Sequence, residues 1–311
     1  MYNQIIKNMK TIRFYQILII TVLFTTKINA QEPITISGTK FTYPLIEKWI
    51  AEYNKENPQV QISLVGKKAD AKKADISIIA HQPLKNDIAE NQQIVYVNKF
   101  ALLPVAGKSN EYLKGIKKRG LNKKELEKLF FEESLLEEKQ EKSKYPVNIY
   151  ARESHACSAV AFANYFGYDA TEIRGKKIAG DDVYLLSSIK KDTLGITYNI
   201  LGNLYDKQTR KLKDDFTVLP LDITKEATIA INSNVDDAIK VLENERFETI
   251  PVERVGFIYD SNNHNKELIK FLKWTLTEGQ KYNHEFGFLN LNKDLLLSQN
   301  ERLAELYLTS K

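Results

Sequence analysis

The sequence has very little cysteine, few glycines and prolines, and no repeat. Among its 311 residues there is a single cysteine, Cys157, so no intramolecular disulfide can form. The 13 Gly and 8 Pro exclude a collagen-like chain, and 43% hydrophobic with 27% charged residues is typical of a globular protein. The stability of the fold must therefore come from its hydrophobic core.

Long hydrophobic runs are also absent beyond the N-terminus. Three basic residues precede an apolar run at residues 14–24, and Ala30 then places a small side chain before Gln31. This order is typical of a secretory signal peptide cut after Ala30. An uncleaved membrane anchor is the alternative, but the run of about 11 residues is well short of the roughly 20 that span a bilayer. We expect an exported, periplasmic protein that is not inserted in the membrane.

A surplus of basic residues is lacking once this segment is removed. Residues 1–30 contain four of the 45 basic residues and none of the 40 acidic ones, which leaves 41 and 40. A protein that binds nucleic acid would need a strong basic surplus. No nucleic-acid partner is therefore expected.

Strand and helix patterns alternate along the chain, which predicts an α/β fold. Short β-rich runs lie at residues 34–37, 60–65, 75–80, 94–97, 147–150 and 195–198. A helix is predicted from Tyr43-Pro44 to Asn57, because apolar residues recur at helical spacing and proline is tolerated in a first turn. Another helix follows Ser158, and a later one ends at Gly279.

The order of strand, polar turn and helix N-terminus occurs twice, near residues 34–45 and 147–160. A helix N-terminus exposes unpaired N–H groups and carries partial positive charge, so it can hold an anion. Arginine adds a fork of donors that matches an oxyanion or a carboxylate. One such turn is commonly only a helix cap, whereas two facing turns would hold one anion from both sides. The predicted ligand-binding residues are Ser37, Thr39, Lys40, Phe41, Thr42, His81, Arg152, Ser154 and Ser158.

Several segments resemble the phosphate-binding proteins of bacterial ABC importers. The opening segment, residues 34–49, contains Ser37-Gly38-Thr39-Lys40-Phe41-Thr42 before its helix. Tyr150-Ala151-Arg152-Glu153 is similar to the start of the family's arginine-containing ligand loop. Further similar segments are residues 74–78, 121–130, 194–198, 277–281 and 287–288, in the family's order.

This resemblance implies the type II periplasmic-binding-protein fold, with two α/β lobes joined by two crossover strands. The lobes would comprise residues 31–101 with 256–311, and residues 102–255. The crossings would lie near residues 100–105 and 252–258. The resemblance further implies a monomeric solute-binding protein that closes on a hinge around a small anion, phosphate or a related oxyanion or carboxylate. An ABC permease would be its partner.

The sequence departs from the family at three places. Residues 66–73 are shorter and lack the family's serine and paired glycines, Ala80 falls where the family has an aspartate, and Ala156-Cys157-Ser158 replaces Ser-Gly-Thr. Lys40 and Arg152 without that acidic acceptor would favour a fully charged anion. The alternative is a scaffold without tight ligand binding that acts as a sensor or protein-interaction module in the cell envelope.

Catalytic and metal chemistry have little support. His155 and Cys157 lie two residues apart, but a cysteine nucleophile needs a base and an orienting group, and no orienting group can be named. A buried structural thiol is the simpler interpretation. The histidines have no spacing typical of a zinc site. No enzyme activity, cofactor or metal is therefore expected, and the histidines are His81, His155, His264 and His284.

Overall fold

The computed structural model describes residues 33–66, 74–83, 88–116, 118–132, 146–263 and 265–309. The predicted signal peptide, most of the shortened segment 66–73 and His264 lie outside the described residues. The strands are β1 Ile34–Gly38, β2 Ile62–Leu64, β3 Ile76–Ile79, β4 Gln92–Gly107, β5 Asn148–Arg152, β6 Lys176–Ile178, β7 Gly195–Ile200, β8 Phe216–Val218 and β9 Val252–Asp260. The α-helices are α1 Tyr43–Glu56, α2 Lys123–Phe130, α3 Cys157–Phe166, α4 Val183–Lys191, α5 Leu201–Leu204, α6 Lys225–Ser233, α7 Val235–Asn244, α8 Lys266–Leu276 and α9 Lys293–Thr309.

In the sheet, two parallel groups of strands flank a central antiparallel pair. β1 is parallel to β2 and β3, and β5 is parallel to β6 and β7. β9 is antiparallel to β3 and β4, and β4 is antiparallel to β7 and β8. The strand order is β2-β1-β3-β9-β4-β7-β5-β6, with β8 beside β4. Parallel pairing of strands that are separated by helices confirms the predicted α/β class.

β4 connects the two groups of strands, because it pairs with β9 along its first part and with β7 along its second part. Residues 92–101 pair with β9, and residues 102–106 pair with β7. The strand is fully buried where its pairing partner changes, at Phe100, Ala101, Leu102 and Leu103. It therefore passes through the interior of the molecule at this point. β4 and β9 run through the two stretches where crossings are predicted. The lobe boundaries themselves stay a prediction.

α1 begins and ends as the sequence predicts. Pro44 lies in its first turn, and the helix ends before Asn57. Its buried face includes Trp49, whose indole nitrogen donates a hydrogen bond to the Gly279 carbonyl oxygen at 2.8 Å. Trp49 is fully buried, whereas Trp274 is half-buried.

The core beside β5 and β7 is aromatic. Phe162 of α3 lies between Phe130 of α2 and Tyr198 of β7, with ring centroids 4.9 and 4.0 Å apart. Rings that pack at such distances stabilise a core beyond the area that they bury. Asn122 and Glu125 cap the start of α2 in a reciprocal capping box. The buried face of α2 is narrow and consists of Leu126, Leu129 and Phe130.

Five helices are not among the predicted elements: α4, α5, α6, α7 and α9. α7 nevertheless has apolar residues at helical spacing, since its buried side chains are Val235, Ala238, Ile239 and Leu242. The N-cap residue of α7 is Asn234, whose side chain accepts a hydrogen bond from the Asp237 N–H. No helix in the described part of the chain is long and apolar enough to cross a bilayer.

Candidate functional site

The first predicted corner lies between β1 and α1. Gly38 has a φ of +135°, and a Cβ there would overlap the carbonyl oxygen of Ile78 in β3, so glycine is needed. A short 3₁₀ turn, Lys40–Thr42, then leads into α1. The Thr42 hydroxyl is buried and donates to the Thr39 carbonyl oxygen at 2.6 Å. These contacts give the corner a defined backbone.

The second corner lies between β5 and α3. Arg152 ends β5, and Cys157 begins α3. The N-cap residue Ala156 makes no side-chain cap hydrogen bond. Because the first N–H groups of a helix have no partner within it, an anion could serve as their acceptor.

The two corners are in direct contact. The Thr39 hydroxyl lies 2.9 Å from the Cys157 sulfur, although the two residues are 118 positions apart. The same hydroxyl lies 3.3 Å from the Ile78 carbonyl oxygen, so its single proton has two acceptors. The structure therefore brings together the two corners, which the sequence alone could not show to face each other.

A cleft of about 1150 Å³ opens beside this contact. Both corners contribute to its lining, together with the start of α4 and the segment after β7. Three of the nine predicted residues are not among its lining residues: Thr42 is buried, and His81 and Ser154 are half-buried. The predicted residues that line the cleft are Ser37, Thr39, Lys40, Phe41, Arg152 and Ser158.

Arg152 is held by the protein itself. Only 7% of the residue is exposed. One terminal nitrogen donates to the Ile178 carbonyl oxygen at 2.7 Å, and the other donates to the Gly180 carbonyl oxygen. Its Nε lies 3.6 Å from a carboxylate oxygen of Asp182. These contacts fix the guanidinium in the wall of the cleft and balance part of its charge.

Ser158 is also engaged by Asp182. Its hydroxyl donates to the same carboxylate oxygen that faces Arg152. Burial raises the pKa of Asp182 above its usual range, although the Ser158 hydrogen bond and the Arg152 charge act to lower it. Asn199 of β7 donates to the Asp182 backbone carbonyl at 2.8 Å and holds this turn in place.

Lys40 differs from Arg152 because its side chain is exposed and makes no hydrogen bond or ion pair with the described residues. Phe41 beside it is half-buried, with its ring 5.0 Å from Phe100 and 6.1 Å from Phe288. The corner therefore offers one exposed cation next to a packed aromatic ring. The charged lining residues are Lys40, Arg152, Lys207 and Lys213, with Glu153, Asp181, Asp182 and Asp206.

Two segments of the lining are missing from the sequence prediction. The turn Gly180-Asp181-Asp182 follows β6 and precedes α4, so it repeats the order of strand, turn and helix. A strand prediction at Lys176–Ile178 would have revealed it, but two of those three residues are lysines. The other segment contains Lys207 and follows the short helix α5.

The structure does not assemble a catalytic cysteine from the described residues. His155 is exposed and lies 3.6 Å from the Glu153 carboxylate, whereas the Cys157 sulfur contacts the Thr39 hydroxyl. The expectation of a buried thiol is wrong, because Cys157 is half-buried and lines the cleft. Among the described residues, no group of His, Cys, Asp and Glu side chains could hold a metal ion. His284 pairs with Glu243 at 2.8 Å, away from the cleft lining.

Neither a family model nor a curated protein matches the chain by sequence. Solved structures do match its fold. An ABC-type phosphate transport receptor from Vibrio cholerae is 15% identical, with a TM-score of 0.56, over 83% of this chain and all of the receptor. PstS from Borrelia burgdorferi is 14% identical, with a TM-score of 0.52, over 84% of this chain and 99% of its own. These likenesses confirm the predicted periplasmic-binding-protein fold.

Proposed function

We propose that this protein is an exported solute-binding protein, not an enzyme, that captures a small anion in the cleft. The anion would be phosphate, a related oxyanion or a carboxylate, and an ABC importer would receive it. The observation that carries the proposal is the contact between the two strand-to-helix corners at Thr39 and Cys157. The likeness of the fold to phosphate receptors supports a solute-binding role.

The anion would bind at the N-terminus of α3. Ala156 leaves the first turn of that helix without a side-chain cap, and helix N–H groups attract negative charge. Lys40 on the opposite corner would supply a cation, since it has no recorded partner in the described residues. Arg152 would act mainly through its charge, because carbonyl oxygens already hold its terminal nitrogens.

Ligand entry between the corners would require their separation. The hydrogen bond from Thr39 to Cys157 joins them directly, so an anion placed between them must break it. β4 and β9, which connect the two groups of strands, are the natural elements for such a hinge. The Thr39 hydroxyl released in this way would become a donor to the anion.

Titration calorimetry on the exported protein tests this proposal. Phosphate, sulfate and acetate are each titrated, and at least one is expected to bind saturably. Lys40→Gln should weaken that binding about tenfold or more, because a hydrogen bond to a charged group contributes roughly 1.5–3 kcal/mol. The matched control is Lys124→Gln, an exposed lysine of α2 outside the cleft lining, which should leave the affinity unchanged.

Absence of binding for all three anions at millimolar concentration would remove the receptor proposal. The intact mass of the same preparation shows whether the exported chain begins at Gln31, and its native mass shows whether it is a monomer. A chain that keeps residues 1–30 would contradict the proposed cleavage after Ala30.

A protein-interaction module is the second candidate, and the wall of the cleft favours it. Arg152 and Ser158 are both engaged by Asp182, so two of the predicted ligand donors already have partners. A module of this kind would bind none of the anions and would co-purify with a protein partner from the cell envelope. A receptor would instead bind at least one anion in the absence of any partner.

A further inference from the structure

The cleft is much larger than an inorganic anion. Its volume is about 1150 Å³, whereas a water molecule occupies about 30 Å³ in the liquid and a phosphate ion replaces only a few waters. Sites that bury organic molecules commonly measure about 300–1,000 Å³. The space is not simply a gap between separated corners, because Thr39 and Cys157 are already in contact. Room therefore remains for an organic body beside the anion site.

An exposed apolar edge borders this space. Val183 and Tyr184 begin α4, line the cleft and leave 45% and 50% of their surface exposed. The Tyr184 ring lies against Gly180, where a Cβ would overlap it, and Gly180 accepts a hydrogen bond from the buried Arg152 guanidinium. The ring therefore packs on the backbone of this turn. Adjacent exposed apolar side chains at the edge of a cleft are typical of a binding surface.

Acidic groups in the same lining limit the charge of a favourable ligand. The four basic lining residues are matched by four acidic ones, so their formal charges cancel. A second negative charge on a ligand would therefore lose its hydration without a net attraction in return. The lining thus favours a ligand with one negative charge over a doubly charged oxyanion.

We propose that the cleft binds an organic carboxylate, with its single negative group at the Lys40 corner and its aromatic or aliphatic body packed on Val183 and Tyr184. This inference rests on the proposed function and narrows the ligand from small anions to carboxylates with an apolar body. An apolar body would remove the exposed edge of α4 from water, which is the general source of affinity in such sites.

Calorimetry with inorganic phosphate, acetate and phenylacetate on the exported protein tests this inference. Phenylacetate should bind about tenfold or more tightly than acetate and phosphate, because its ring covers apolar surface. Tyr184→Ala should reduce the ratio of phenylacetate to acetate affinity by about fivefold, and Val183→Ala should act in the same direction. Ile229→Ala is the matched control, since this α6 side chain is 59% exposed and lies outside the cleft lining.

The outcomes separate this inference from the proposed function. If phosphate binds most tightly, or if phenylacetate and acetate bind alike, the organic-carboxylate assignment is overturned and the anion receptor stands. If Tyr184→Ala and Ile229→Ala change the affinity ratio equally, the apolar edge is not the contact surface and the assignment also fails. If none of the three anions binds, the proposed function fails as well.

Discussion

Arg152 and Asp182 form a buried ion pair in the wall of the cleft, and each depends on the other. Burial raises the pKa of Asp182, because taking a carboxylate out of water disfavours its charged form. The Arg152 charge opposes this effect. Removal of one member of a buried ion pair leaves the other charge buried without a partner. The loss of stability then exceeds the net stabilisation that the intact pair provided.

Arg152→Met should therefore destabilise the protein by about 3 kcal/mol at neutral pH. A carboxyl group whose pKa is higher in the folded than in the unfolded protein destabilises the fold once the pH exceeds its pKa in the unfolded protein. For aspartate that pKa is about 3.9. Without Arg152 the pKa of Asp182 rises further, so the deficit should grow from about pH 4.5 to about pH 7.5. Urea unfolding at the two pH values measures it.

Arg119→Met is the control for this prediction. Arg119 pairs with Glu125 at 2.7 Å but is exposed, so its loss should change the free energy of unfolding by less than about 1 kcal/mol at either pH. Equal deficits for Arg152→Met at acid and neutral pH would show that the unpaired Asp182 charge is not the cause.

Single hydroxyl groups show why the sequence locates the turns better than it locates the contacts. Thr42 and Ser158 both lie in the predicted turns, yet one hydroxyl donates to the Thr39 carbonyl and the other to Asp182. Asp182 follows Ser158 by 24 residues and reaches it only through the pairing of β5 with β6. A local pattern contains no information on such a partner.

At the scale of elements, a small polar cluster ties α7 to the chain that follows α8. One carboxylate oxygen of Glu243 lies 2.8 Å from the His284 ring and accepts the Asn290 N–H at 2.5 Å. Burial alone would raise the pKa of Glu243, but these hydrogen bonds and the charge of Lys99 together lower it. The cluster lies just before and after Phe288, which stacks on Phe41 of the first corner. The cluster therefore holds the segment whose Phe288 packs against the lining residue Phe41.

Glu243→Gln should lower the free energy of unfolding by about 1–2 kcal/mol at pH 7. A carboxylate with a lowered folded pKa stabilises the fold above its unfolded value, about 4.3, and loses this effect as the pH falls through the folded pKa. The difference between variant and parent should therefore shrink in acid. Thermal unfolding from about pH 7 down to about pH 3 measures it, with the exposed Glu245→Gln as the control.

If the difference in free energy of unfolding between Glu243→Gln and the parent stays constant over this pH range, the Glu243 charge contributes little. The loss would then come from the poor fit of the glutamine amide in place of the carboxylate. A change of equal size in Glu245→Gln would point instead to the general charge balance of α7.

The predicted elements have strong local patterns, although α7 has such a pattern and is not among them. β6, in contrast, has no local pattern of its own. β1 and α1 have β-rich and helical spacing with Pro44 at the junction, and the structure places them as expected. β6 has the sequence Lys-Lys-Ile and exists as a strand because it lies at the sheet edge beside β5. Because β6 could not be predicted, the sequence contains no indication that Asp182 lies in a turn after a strand or that Tyr184 lies at an exposed edge.

At the scale of the whole molecule, β4 joins the two parallel groups of strands through one continuous buried segment. Its residues 92–101 pair with β9 and its residues 102–106 pair with β7. Phe100 and Leu102, on either side of this change, are fully buried in the folded protein. The unfolding of one group alone would leave the β4 backbone unpaired and its apolar side chains in water. The shared strand therefore couples the stability of the two groups.

The two groups should accordingly unfold in one cooperative transition. Trp49 and Trp274 both lie beside the β1–β3 group, so their fluorescence reports on that part, whereas far-UV circular dichroism reports on all helices. Phe162→Leu changes the aromatic core of the other group and should cost about 1–2 kcal/mol. If β4 couples the groups, this variant lowers the urea midpoint of tryptophan fluorescence as much as that of circular dichroism. A fluorescence midpoint that stays at the parental value would mean that the groups unfold independently and that β4 is only a connection between them.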